Sequence, residues 1–243
     1  MQARANRQKS PRPPISPSPH PSHSRQVSRT DAPRLFRYLW VGAPNDRKGW
    51  RHLLAAWKAF AGDATCELYL KTTFAGEALP SGRFGNVIVD TRRLDDDALR
   101  DLYHSAHCFV LPSMGEGFGF TLGEAMATGL PCIYTPATSL ADLCDPSCGY
   151  PIEYRMEPCF EMDAGDGRTV KLTAANPDVA DLARCMRGVR KNYGEALRRG
   201  RRAATRIRRR FTWAASGRRL KDALNVIAEA LDDVRPCPRR RAC

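Results

Sequence analysis

At 243 residues the chain can hold one large domain or two small ones, and a hydrophobic content of 42% is enough for a packed core. No stretch approaches the roughly 18–20 apolar residues of a membrane-spanning helix, and no apolar run of a secretory signal follows the basic N-terminus. The formal net charge of +13 invites a nucleic-acid reading, but its distribution argues otherwise: residues 1–33 carry six Lys/Arg and one Asp, 198–221 eleven Lys/Arg and no acid, and 235–243 four Arg, which leaves the remainder at −7.

Met1 to Pro33 is rich in Pro, Ser, Arg and His and has no periodic apolar pattern, so it cannot offset its ordering entropy and is expected to be a disordered tail. Tyr38 to Val41 reads as a first buried strand, followed after Ala43-Pro44-Asn45-Asp46 by the basic pair Arg47-Lys48 and Gly49. Trp50, Leu53, Leu54, Trp57 and Phe60 then mark one face of a helix. Cys66 to Leu70 and Val87 to Val89 are further strands, separated by a Gly- and Pro-containing loop over residues 74–86. Asp95 is placed to cap a helix running to Ala106, with Leu94, Ala98, Leu102, Tyr103 and Ala106 along one face. His104, His107 and Cys108 fall where that helix runs into a strand, which accounts for them better than a metal site does.

The next stretch, Pro112 to Gly129, reads PSMGEGFGFTLGEAMATG and lies between two apolar runs, Cys108 to Leu111 and Cys132 to Tyr134. Its Leu122 to Thr128 portion favours a helix, so the unit is β-loop-α-β. Gly115, Gly117 and Gly119 alternate before the helix and let the backbone approach a ligand closely. The helix N-terminus behind them offers unpaired N–H groups and the positive end of a dipole to a phosphate. Glu116 and Glu124 frame the unit, and carboxylates accept hydrogen bonds from hydroxyls. Phosphate flanked by hydroxyls describes a sugar nucleotide. The regular alternation predicts an α/β fold, one domain over 34–233, with a parallel sheet flanked by helices and right-handed crossovers. Arg47, Lys48, Glu116 and Glu124 all come directly after strands, on the edge where such sheets hold ligands.

Gly149 to Tyr154 is a further strand, and residues 155–172 read as an irregular surface loop whose Asp163 and Asp166 fit no EF-hand spacing. From Asp178 the pattern is helical to the end. Leu197, Gly200, Ala204, Ile207 and Phe211 form a narrow stripe among arginines, read as a packed helix with a solvated basic face; anionic lipid or nucleic acid are the alternative partners for that face. Thr212-Trp213 begins the last helix, with Leu220, Leu224, Ile227 and Leu231 as its packing face, and 234–243 is a basic tail. The nine cysteines are odd in number and show no Cys-x-x-Cys; Cys108 and Cys132 sit in core strands, which points to a reducing, cytoplasmic setting.

The Pro112 to Pro131 string resembles the donor-site signature of retaining glycosyltransferases of the two-domain GT-B fold, family 4 above all. That signature is Glu-x7-Glu within Pro-Ser…Glu-Gly-Phe-Gly…Glu-Ala-Met-Ala-x-Gly-x-Pro; Glu116, Gly117, Phe118, Gly119, Glu124, Ala125, Met126, Ala127, Gly129 and Pro131 fit in register. The resemblance spans Leu35 to about Leu231 and implies a single Rossmann-like domain with a helical C-terminus, the donor-binding half of such an enzyme. An acceptor-binding N-terminal domain is then expected from a separate polypeptide, or the chain is a fragment.

The resemblance further implies transfer of a sugar from a nucleotide-diphosphate sugar to a glycan or other acceptor with retention. The donor is a substrate, and neither cofactor, metal nor protein nucleophile is required, because the leaving phosphate acts as base. The implied donor-binding residues are Arg47, Lys48, Glu116, Gly117, Phe118, Gly119, Phe120, Thr121 and Glu124. Of these, Lys48 would neutralise the leaving diphosphate and Glu116 would hold sugar hydroxyls, the two catalytic roles, while Glu124 would accept the ribose hydroxyls. In the family's Gly-Arg-x4-Lys-Gly, Lys48-Gly49 fits, Ala43 replaces the Arg, and Arg47 is the available substitute. Thr138 to Asp142 corresponds to a segment that in the family often carries Ser-Gly or Gly-Gly near the donor sugar, and no glycine is present here. Two other readings stay open: a module that binds a nucleotide sugar without catalysis, and a basic nucleic-acid binder resting on Arg198 to Arg210. Peripheral membrane contact through the arginine helix also stays open.

Overall fold

The structure, a computed structural model, describes residues 34–73, 79–163, 165, 166 and 168–234. The expected tails at 1–33 and 235–243 lie outside these residues, as does 74–78 of the expected loop. Strand β1 (Phe36–Val41) is apolar on both faces and therefore sits mid-sheet, paired in parallel with β2 (Cys66–Lys71) on one side and β5 (Cys108–Leu111) on the other. With β3 (Gly82–Phe84), β4 (Val87–Asp90), β6 (Cys132–Tyr134) and β7 (Tyr150–Pro151) it builds a seven-stranded sheet in the order β3-β4-β2-β1-β5-β6-β7. Only the edge pair β3–β4 is antiparallel.

The helices are α1 (Trp50–Trp57), α2 (Asp96–Ser105), α3 (Phe120–Ala127), α4 (Ser139–Leu143), α5 (Val179–Lys191), α6 (Tyr193–Arg210) and α7 (Trp213–Val234). Asp95 caps α2 by accepting from the Ala98 N–H at 2.8 Å, as its position predicts. Helix α1 packs against α5, and α3 against α6. Trp40, Tyr38, Tyr103, Tyr134 and Phe109 are the largest side chains sealed in the core. No disulfide joins the seven described cysteines. Among the described residues no helix is long and apolar enough to cross a membrane.

Four expectations need correction. Residues 82–84 are a strand: Gly85, at φ 61°, and Asn86 make a two-residue turn that folds β3 back on β4. Its exposed, single-sided pairing leaves no apolar signature. Residues 155–172 are no irregular loop but belong to an antiparallel ribbon, β8 (Tyr154–Asp163) and β9 (Thr169–Pro177). Charged residues on both faces and a bulge between Pro158 and Phe160 hide its alternation. The start of the helix expected at Leu122 moves to Phe120. Helix α7 forms, yet Leu220, Leu224, Ile227 and Leu231 are exposed by half or more, so they are not a packing face within the described chain. Their spacing suffices to mark a helix, but no described element lies opposite.

Helix α6 packs as expected. Its small residues permit close approach: a Cβ on Gly200 would stand 2.2 Å from the Gly129 carbonyl oxygen. Its arginines are partly structural. Arg206 donates to the Leu143 and Asp142 carbonyls, both at 2.9 Å, and to the Asp145 carboxylate at 2.8 Å. Arg199 donates to the Pro146 and Gly149 carbonyls and Arg202 to that of Ser147. These carbonyls are orphans of the α4 C-terminus and of the loop after it.

At the end of β4 the buried Asp90 accepts from the Tyr69 hydroxyl at 2.7 Å and from Arg92 at 2.9 Å, with the Lys71 ammonium at 3.7 Å. The Arg92 hydrogen bonds, helped by Tyr69 and the Lys71 charge, hold its carboxyl well below the usual carboxylate value of 3.8. A depressed folded-state pKa stabilises fully above the unfolded value and is lost as pH falls toward the folded one. Asp90→Asn leaves the Lys71 ammonium buried without its counter-charge, at about 3 kcal/mol. Thermal melts at pH 7 should show a drop of roughly 6–12 °C, and the gap from the parent should narrow at pH 3.

Candidate functional site

Adjacent parallel strands deliver their following loops to one edge, and here β1 and β5 deliver Arg47-Lys48 and Glu116. After β1 the Asn45 side chain accepts from the Lys48 N–H and caps a single 3-10 turn, Asp46–Lys48. Gly49 closes it at φ 68°, where a Cβ would sit 1.7 Å from the Pro112 carbonyl oxygen. The turn therefore lies directly on the backbone that leaves β5, and the Met114 N–H donates to the Arg47 carbonyl at 2.8 Å.

This contact brings the Lys48 ammonium to both oxygens of Glu116, at 2.7 Å (Oε1) and 2.8 Å (Oε2). Ser113 Oγ donates to Oε1 at 2.8 Å. The Glu116 side chain is 6% exposed, so these are charge-assisted bonds in a sheltered place. Arg47 is half exposed; its Nη1 donates to the Gly115 carbonyl and lies 3.9 Å from Glu116 Oε2. A guanidinium thus enters the site from position 47, while Ala43 supplies no charge.

The Glu116 peptide is held as firmly as its carboxylate. Its N–H donates to Thr138 Oγ1 and its carbonyl accepts from Ser139 Oγ, each at 3.0 Å. Of the three alternating glycines only Gly119 has a left-handed backbone, φ 86°, and its missing Cβ makes room for Leu140, whose Cδ2 would stand 2.4 Å away. That glycine serves packing; Gly117 faces open space. Gly119 begins α3 with no side-chain cap, which leaves the N–H groups of Phe120, Thr121 and Leu122 without intrahelical acceptors. The Phe118 and Phe120 side chains point outward, their ring centroids 4.7 Å apart, so only their backbone is aimed at the loop.

Glu124 lies one turn into α3, exposed, and accepts from the Tyr103 hydroxyl at 2.7 Å. Burial, then the Glu124 charge, pushes the Tyr103 pKa up, which keeps the phenol a donor. Glu116 and Glu124 thus have separate partners on one loop-helix unit. The β8–β9 ribbon is fastened beside them: the Ala175 N–H donates to the Met114 carbonyl at 3.0 Å and Asn176 pairs with His52 at 2.7 Å. Sequence reasoning missed Ser113, Thr138, Ser139 and Tyr103 as site members. Ser113 stands inside the motif and Thr138 opens the flagged segment, but the role of Tyr103 left no sequence signal beyond its place on a helix face.

Gly49 and Gly62 separate backbone strain from contact, since both have positive φ but nothing lies within 4 Å of a Cβ at Gly62. Gly62→Ala should cost about 1 kcal/mol. Gly49→Ala adds collision with the Pro112 carbonyl and should cost about 3 kcal/mol or more. Melting temperatures of the two variants read the difference directly.

Among solved structures, the sucrose-phosphate synthase of Thermosynechococcus elongatus matches with a TM-score of 0.59 and 21% identity, over 80% of this chain and 46% of that one. Anabaena HepE, solved in complex with UDP and glucose, matches with a TM-score of 0.57 and 14% identity, over 79% of this chain and 48% of that one. The C-terminal domain of LpcC, a glycosyl transferase group 1 family protein of Francisella tularensis, matches at 0.55 and 14%, over 73% of this chain and 87% of that domain. The chain spans about half the length of the first two and most of the third. At such identities the likeness establishes the fold. No curated protein matches the sequence. The profile described as glycosyl transferases group 1 matches residues 36–158, half of the chain, including the loops that carry Arg47, Lys48 and Glu116 and the helix that carries Glu124. The chain belongs to the glycosyl transferases group 1 family and has the fold of a GT-B C-terminal domain.

Proposed function

We propose that this chain is the donor-binding half of a retaining, family-4-like glycosyltransferase that moves a sugar from a nucleotide-diphosphate sugar to a glycan or other acceptor. The observation that carries the reading is the Lys48–Glu116 pair, set at the carboxyl edge of the sheet beside the uncapped start of α3. A lysine ammonium has three N–H donors, and Glu116 takes two, so one remains for a diphosphate oxygen. Glu116 Oε1 already accepts from Lys48 and Ser113, whereas Oε2 accepts only from Lys48 and keeps a lone pair for a sugar hydroxyl. Arg47 and the amides of Phe120 and Thr121 add positive potential where the leaving diphosphate develops charge. Glu124 accepts the ribose hydroxyls.

The leaving phosphate itself serves as base, and the reaction draws on no cofactor or metal. The acceptor-binding domain is contributed by a part or partner beyond the described residues; HepE and the synthase, about twice as long as the matched region, support that division. The UDP and glucose of HepE support a nucleotide sugar as donor here. The seven described cysteines are free thiols, which fits a cytoplasmic setting, and the exposed Arg208 to Arg210 fit contact with an anionic membrane surface. A binding module without catalysis is the second reading, favoured by Ala43.

Calorimetric titration of the chain with UDP, GDP and ADP tests the proposal. One nucleotide should bind saturably, and Glu124→Ala should weaken it about tenfold or more, the worth of a hydrogen bond to a charged group. Glu116→Ala should weaken the nucleotide sugar more than the bare nucleotide. Failure of all three nucleotides at millimolar concentration overturns the reading. Sugar transfer with retained anomeric configuration, followed by NMR, distinguishes the enzyme from the binding module.

A further inference from the structure

Thr138 is the single non-glycine residue with positive φ among the described residues, at φ 53° and ψ −141°. A β-branched residue keeps such a backbone only where its surroundings over-determine it. Packing is a poor reason here, because Thr138 is exposed. What the conformation achieves is polar. Thr138 Oγ1 donates its one proton to the Ala137 carbonyl at 2.7 Å, and so must turn a lone pair toward the Glu116 N–H, which reaches it at 3.0 Å. Ser139 Oγ takes the other side of the same residue, donating to the Glu116 carbonyl at 3.0 Å. Two consecutive hydroxyls grip both backbone polar groups of the residue whose carboxylate meets Lys48. The Thr138 methyl also stands 3.9 Å from where a Cβ on Gly115 would lie, and so walls the loop on that side.

We infer that Thr138 is a positioning residue for the donor sugar: its strained backbone is retained because it fixes the height of the Glu116 peptide, and with it the open lone pair of Oε2. The inference rests on the donor-site reading of Glu116. Nucleotide anchoring has its own supports, since Glu124 is held from another direction by Tyr103 and the Lys48 backbone by the Asn45 side chain. Thr138 therefore governs the part of donor affinity that belongs to the sugar and leaves the part that belongs to the nucleotide. A threonine that merely completed the fold would affect both alike, or neither.

The test uses the full chain and three variants, Thr138→Val, Thr138→Ser and Thr138→Gly. Dissociation constants are measured for UDP and UDP-glucose, or for GDP and GDP-mannose or ADP and ADP-glucose if the titration above selects that base. Thr138→Val keeps the shape and loses the hydroxyl; it should bind the bare nucleotide within about twofold of the parent and the nucleotide sugar about 5–10-fold more weakly. Thr138→Ser should restore the parental ratio. Thr138→Gly should lose the sugar increment as valine does, yet melt at the parental temperature or about 2–4 °C above it, because the backbone strain is released. A parental sugar-to-nucleotide ratio in Thr138→Val, or a melting temperature of Thr138→Gly well below the parent, overturns the inference while the donor site stands. Absence of nucleotide binding by the parent chain overturns both.

Discussion

The ion pair between Lys48 and Glu116 joins segments 68 residues apart, and the rest of the site is arranged around making that distance short. Its cause lies in the sheet. Strands β1 and β5 are neighbours although three strands intervene between them in sequence, so their loops leave side by side. The Gly49 turn then settles on Pro112 because nothing larger than hydrogen occupies its α-carbon. Removing the Glu116 charge would leave the Lys48 ammonium, 18% exposed, with no counter-charge, a costly state, whereas removing Lys48 would leave Glu116 only the half-exposed Arg47 at 3.9 Å. The pair is thus a clamp between the loops that leave the two central strands.

The parts of this arrangement that could be read from sequence are those with a local cause. Buried parallel strands are apolar on both faces, so Cys108 to Leu111 and Cys132 to Tyr134 announce themselves as continuous runs. Asp95 and Asp178 cap helices by chemistry confined to four residues. Lys48, Glu116 and Glu124 follow from the strand-loop pattern and from the family resemblance. Other parts have causes that no window reveals. The hydroxyl of Thr138 accepts from the N–H of a residue 22 positions earlier, a contact that no local pattern encodes. Strand β3 and the β8–β9 ribbon pair outside the buried part of the sheet, where polar residues are tolerated on both faces and the period-2 signal vanishes. The exposure of the α7 stripe depends on what lies opposite, which spacing does not encode.

Charge was the feature most open to misreading. A run of eleven cations without an acid looks like a polyanion-binding surface. Three of these cations, Arg199, Arg202 and Arg206, are turned inward to carbonyl oxygens of the 142–149 segment, doing for the end of a short helix what a C-terminal cap does elsewhere. Arginine suits that use because one planar fork can satisfy several acceptors at fixed angles. Arg199 and Arg202 also pair with Glu195, and Arg206 with Asp145, so the run's count of cations overstates the field that a partner would meet along α6.

The hydroxyl of Tyr38, in the first strand, donates to the Met186 carbonyl 148 residues later, and Arg190 pairs with Asp63 across 127 residues. Helix α5 lies over α1 in the same region. A chain made from its N-terminus accordingly exposes one flank of its central strands on the ribosome until the residues around 186–190 have been added. Sheets closed by such distant contacts assemble late and slowly, and the unfinished form is the one most open to aggregation. Here α5, the helix that covers this flank, follows every described strand, so the sheet is covered only after all of its strands have been made.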